Sequence, residues 1–157
     1  MKKTLHYTMF IHTPRQRVWD VMLGPEGFKQ WTSDFAEGSY YEGSWEQGQR
    51  IRFLTPEGEG MFSTIEESRP YKFVSIHHLG TIKNGSEDTQ SEDARQWGDA
   101  WEKYEFRDVD GGTELVIDVD TPEEMEAFMQ ETWPKALGRL KATCEARLKP
   151  GHPECRR

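Results

Sequence analysis

From Thr4 to Ile11 apolar and polar residues alternate, with Leu5, Tyr7 and Met9 at every second position, and a period of two predicts a strand. The period then lengthens. Val18, Val21 and Met22, with Trp19 beside them, recur at three- and four-residue steps after Thr13-Pro14, which predicts a short helix over Pro14 to Met22 capped by Thr13. Gly24-Pro25 stops it, and Phe28 and Trp31, three apart, predict a second short helix from Pro25 to Trp31. From Ser39 to Asp120 no helical period persists, and extended segments separated by turn residues read as a meander of four to six strands. Within it, Gln49 to Leu54 sets Ile51 and Phe53 on one face and Arg50 and Arg52 on the other. The last two strands, Ala100 to Asp108 and Thr113 to Asp120, are joined by Asp110-Gly111-Gly112, a hairpin signal because glycine accepts positive φ. Leu115, Ile117 and Val119 mark the inward face of the second.

A helix from Thr121 to Leu148 closes the pattern. Thr121, Pro122 and Glu124 have the spacing of a capped helix start, and Met125, Phe128, Met129, Trp133, Leu137, Leu140, Cys144 and Leu148 form one apolar stripe. Pro134 removes a backbone donor within that run and predicts a kink near Gln130 to Trp133. Between the strands, Lys83 to Gln96 holds one alanine among polar residues, so a mobile loop is expected there. The predicted architecture is α+β: a curved antiparallel sheet of six or seven strands around a long C-terminal helix, with two short helices after the first strand. One domain over 1–148 and a flexible tail over 149–157 complete it.

Composition narrows the partners. The chain has 157 residues, enough for a single core without a metal or disulfide staple. Its 28 acidic against 20 basic residues give a net charge of −8, which argues against nucleic acid and anionic membrane surfaces. No stretch approaches the roughly 20 apolar residues of a membrane span, and Met1 to Phe10 lacks the apolar core of a signal peptide. The two cysteines, Cys144 in the helix pattern and Cys155 in the tail, make a framework disulfide improbable, so a reducing cytoplasm is expected.

Catalytic and cofactor motifs are missing. His77 and His78 are neighbours on a strand and point to opposite faces, so they cannot share a metal ion; His6, His12 and His152 have no ligand-spaced partner. There is no phosphate-binding glycine motif, no nucleophile elbow, and no cofactor signature. Two weaker candidates remain. Glu102 shares a face with Tyr104 and Phe106, where it either meets a cavity and acts as acid or base, or sits solvated at the strand's end. His77, with Phe73 and Ser75, could donate a hydrogen bond to a ligand, although Val74 and Ile76 make the opposite face apolar as well. The aromatics are too numerous for all to be close-packed, so some are expected to line a pocket. Trp31, Phe35, Phe53, Phe62 and His77 are the candidates from the first half of the chain, and Tyr104, Phe106, Phe128, Trp133 and Leu137 those from the second.

These residues carry a resemblance. Thr13-Pro14 with Val18-Trp19-Asp20, Gly24-Pro25-Glu26 leading to Trp31, Trp45 with Gly48 and Phe53, and Gly60 with Ile65 and Pro70 form its first half. Tyr104 with Phe106, Gly112-Thr113 with Leu115, and Trp133-Pro134 with Leu137, Leu140, Lys141 and Glu145 form its second. The chain resembles the helix-grip superfamily of START lipid-transfer, birch-pollen-allergen and polyketide-cyclase-like proteins, above all the branch named for the activator of heat-shock protein 90 ATPase. The resemblance implies a deep, mostly apolar cavity between the sheet and the last helix, used for lipids, hormones, polyketides or partner proteins. A small hydrophobic ligand held by Trp31, Phe53, Tyr104, Phe128 and Trp133, a protein-interaction module, and an enzyme working through Glu102 or His77 stand as the alternatives.

Overall fold

The computed structural model describes residues 2–146. Strand β1 (Lys2–Ile11) leads into helices α1 (Arg15–Leu23) and α2 (Pro25–Thr32). Strands β2 (Tyr40–Gly43), β3 (Arg50–Leu54), β4 (Gly60–Arg69), β5 (Phe73–Lys83) and β6 (Ser86–Asp88) follow, then helix α3 (Glu92–Trp97). Strands β7 (Ala100–Val109) and β8 (Gly112–Pro122), a 3₁₀ turn (Glu123–Met125) and helix α4 (Glu126–Glu145) complete the described chain. Leu148, Cys155, His152 and the expected tail lie outside it.

The fold is α+β. Seven strands run in the order β1-β8-β7-β5-β4-β3-β2, antiparallel at every step, and β6 pairs off that path with β5. The curved sheet therefore has eight strands where six or seven were expected, seven of them on the continuous path. The additional strand lies in the stretch expected to be an irregular loop. Asn84 (φ 51°) and Gly85 (φ 78°) make a two-residue turn that folds Ser86–Asp88 back onto Thr81–Lys83, and Ser91 caps α3 by accepting from the Ala94 amide. Gly80 permits this approach, because a Cβ there would collide with the Asp88 carbonyl oxygen and the Phe62 ring.

Helix starts depart from the sequence grammar in two places. Pro14, not Thr13, is the N-cap residue of α1, and it makes no side-chain cap. Thr121 and Pro122 remain in β8, paired with Lys3 and Lys2, so α4 begins only after the 3₁₀ turn. Strand pairing outweighs the capping-box spacing there. Pro134 lies inside α4, which continues through it.

The core sits between the sheet and α4. Leu5, Ile11, Ile65, Val74, Ile76, Leu115 and Ile117 from the strands meet Trp133, Leu137, Leu140 and Cys144 from α4, with Val18, Met22, Phe28 and Trp31 closing one end. Burial along α4 is uneven. Thr132 to Cys144 is sealed on its inner face, whereas Phe128, one turn earlier, is 41% exposed. No helix of the described residues is long and apolar enough to cross a membrane.

Candidate functional site

The unsealed end of α4 opens a cavity of about 430 Å³, within the size range of small-molecule sites. Six of the sequence candidates line it: Trp31 from α2, Phe35 beyond it, Phe53 from β3, Tyr104 from β7, and Phe128 and Trp133 from α4. Among these rings Phe35 packs edge to face on both Trp133 and Phe128, with centroids 5.0 Å and 6.4 Å apart. The other four candidates do not line it. Phe62 faces away, in a smaller cluster with Leu54 and Ile82 and beneath the Arg50 guanidinium. Phe106 packs against Trp19, and Leu137 is buried in the main core. His77 lies on the outer face, stacked on Trp101 at 4.3 Å and paired through Nε2 with Asp99 at 2.8 Å.

The histidine in the cavity is its neighbour. Strand alternation sends Val74, Ile76 and His78 inward, so His78 meets the cavity that His77 cannot reach. Sheet register then assembles a polar cluster around it. Ser63 on β4 is directly opposite His78, Ala100 on β7 is opposite it on the other side, and Glu102, two residues on, is the diagonal neighbour. Tyr104 follows two residues later on the same face. The register with β4 shifts immediately after this point, since Ser63 pairs with His78 but Phe62 with Gly80.

The resulting hydrogen bonds form a continuous chain from Ser63 to Tyr104. Ser63 Oγ lies 2.7 Å from His78 Nδ1, His78 Nε2 lies 2.7 Å from Glu102 Oε1, and the Tyr104 hydroxyl donates to Glu102 Oε2 at 2.6 Å. Burial by itself would raise the Glu102 carboxyl. The hydrogen bond and charge of His78 and the Tyr104 hydroxyl outweigh it, so the group is held below the usual carboxylate range. Glu102 is thus an ionised acceptor, and His78 Nε2 must be the donor to it. Tyr104 is pushed well above its ordinary value by burial, then by the adjacent carboxylate. Of the two sequence readings for Glu102, the structure therefore places it facing the cavity and hydrogen-bonded, with 19% of its side chain exposed.

Sequence reasoning did not single out His78, Ser63, Phe28, Met61 or Trp97 for this site, and all but Ser63 line the cavity. For Phe28 the signal was its pairing with Trp31 on one helix face. For Ser63 no local signal exists, because its partner is 15 residues away. Among the described residues no group of three His, Cys, Asp or Glu side chains is gathered to hold a metal. Burial pushes the Cys144 thiol up to about 12, outweighing the nearby Arg17 charge, so it is no thiolate nucleophile at neutral pH.

Solved structures share this architecture. Protein CV1439 from Chromobacterium violaceum superposes with a TM-score of 0.68 at 18% identity, covering 91% of this chain and 97% of that one. The Aha1 dimer from Colwellia psychrerythraea gives a TM-score of 0.66 at 15% identity, covering 91% and 96%. CalU16 from Micromonospora echinospora gives 0.64 at 15% identity, covering 92% and 77%. At such identities the likeness shows the fold. No curated protein sequence matches the chain. A family model does, over residues 12–145, and the chain belongs to that family, described as activator of Hsp90 ATPase homolog 1-like protein.

Proposed function

We propose that this chain binds a small, mostly apolar molecule, aromatic or lipid-like, in the cavity between α2, α4 and the sheet. The observation that carries this reading is a cavity of about 430 Å³ walled by aromatic and methionine side chains and floored by one hydrogen-bonded polar cluster, a combination typical of ligand sites.

The family description points toward a protein partner instead. Among the described residues the exposed large apolar side chains are Phe10 on β1, Tyr71 in the β4–β5 turn and Phe128 on α4, and Phe128 lines the cavity itself. The cavity is therefore the favoured site.

The neutral fluorophore N-phenyl-1-naphthylamine tests this. Its emission should rise saturably on titration with the protein, and filling the cavity with Ala36→Phe should abolish the rise while leaving the melting temperature close to that of the parent. Emission that does not saturate, or equal binding by a folded Ala36→Phe variant, would overturn the reading.

A further inference from the structure

The polar cluster has spent its own hydrogens. His78 Nε2 donates to Glu102 Oε1, the Tyr104 hydroxyl donates to Glu102 Oε2, and His78 Nδ1 and the Ser63 hydroxyl satisfy each other. What remains unused is lone-pair capacity. Each carboxylate oxygen can accept a second hydrogen bond, and the phenolic oxygen of Tyr104 can accept one. Glu102 and Tyr104 both line the cavity, so this capacity belongs to its wall. Trp133, another wall residue, has an indole N–H without a partner, but that atom is shut away from water and offers no hydrogen to the open volume.

No Lys or Arg lines the cavity, so the Glu102 carboxylate is met there by the hydrogen bonds of His78 and Tyr104 rather than by a fixed cation. An anionic group placed beside it would face a carboxylate in a poorly solvated site, where like charges repel strongly. A hydroxyl or ammonium group would find acceptors already oriented. We propose that the Glu102–Tyr104 end of the cavity selects ligands that present a hydrogen-bond donor, a hydroxyl or an ammonium group on an apolar body, and rejects carboxylates. This rests on the cavity being a ligand site, and it separates phenol- or amine-bearing aromatics from fatty acids among the molecules that would fit.

Four ligands of one shape test the selection by displacing N-phenyl-1-naphthylamine at pH 7.5: 2-naphthol, 2-(2-naphthyl)ethylamine, 2-methoxynaphthalene and 2-naphthoate. The naphthol and the amine should displace the probe at concentrations about ten-fold or more below the methoxy compound, since each adds a hydrogen bond to a charged acceptor, and the naphthoate should be the weakest. Glu102→Gln, which keeps the shape and supplies an amide donor, should narrow the spread and bring the naphthoate level with the methoxy compound. Tyr104→Phe, which keeps the carboxylate, should still reject the naphthoate. If the probe and the methoxy compound bind but the four are indistinguishable, or the naphthoate is the tightest, the donor selection is wrong while the cavity reading stands. If neither the probe nor any of the four binds, the cavity reading fails and the selection with it.

Discussion

His77 and His78 are adjacent on β5, yet they occupy different chemical worlds. His77 faces outward, its side chain 22% exposed, between Trp101, Asp99 and Glu66. His78 faces inward, its side chain 3% exposed, with one ring nitrogen on Ser63 and the other on Glu102. Residue type does not separate them; the pleat does. On the outer face, charged groups meet in water and are worth little individually. On the inner face an unpaired polar atom carries the full cost of lost hydration, so the two partners that His78 has there count for more.

Substitutions should break this contrast in a graded way. The largest effect is expected deep on the inner side, where Leu137 is 2% exposed between α4 and the sheet. Leu137→Ala should cost about 2–5 kcal/mol in denaturant unfolding, and a loss below about 1 kcal/mol would show that α4 is not packed as described. His78→Ala comes next. Stranding Ser63 and removing a donor from a buried carboxylate should cost about 1–3 kcal/mol, whereas His77→Ala should cost under about 1 kcal/mol. Equal losses for the two would erase the distinction between the faces.

Acid sharpens the same contrast with a smaller effect. The Glu102 carboxyl ionises more readily in the folded chain than when unfolded, so the folded state binds fewer protons through the carboxylate range. Stability from this group is therefore present above the ordinary glutamate value of about 4.3 and is lost as pH falls through the lower folded value. Between pH 6 and pH 3.5 the parent melting temperature should fall more steeply than that of Glu102→Gln. Parallel curves would mean that the cluster does not hold Glu102 ionised.

Much of the frame was legible in the chain. Alternation grouped Glu102, Tyr104 and Phe106 on β7 and Leu115, Ile117 and Val119 on β8, because mostly charged residues filled the opposite positions, and the register pairs the two sets on the inner face. On β5 the same reasoning stalled, since Phe73 and Val74, like Ser75 and Ile76, leave neither face clearly polar, and the inward histidine was undetermined. The Asn84-Gly85 turn was readable in principle, but its polar surroundings suggested a loop, while the burial that orders α3 comes from Ala94 alone among its residues. The polar cluster was beyond local reading altogether. It depends on the register of three strands and on the shift between Ser63 and Phe62, which distant pairing determines.

The central claim is that a small apolar molecule enters the space between α4 and the inner face of the sheet. Carbon-13 labelling of the methionine methyl groups tests it most directly, because Met61, Met125 and Met129 line the cavity whereas Met22 is enclosed in the core and Met9 lies on β1 away from it. Titration with N-phenyl-1-naphthylamine should shift the Met61, Met125 and Met129 resonances together, with one saturation curve, and leave Met9 and Met22 nearly in place. Shifts confined to Met9, or no saturable shift at any of the three cavity methionines, would contradict the account.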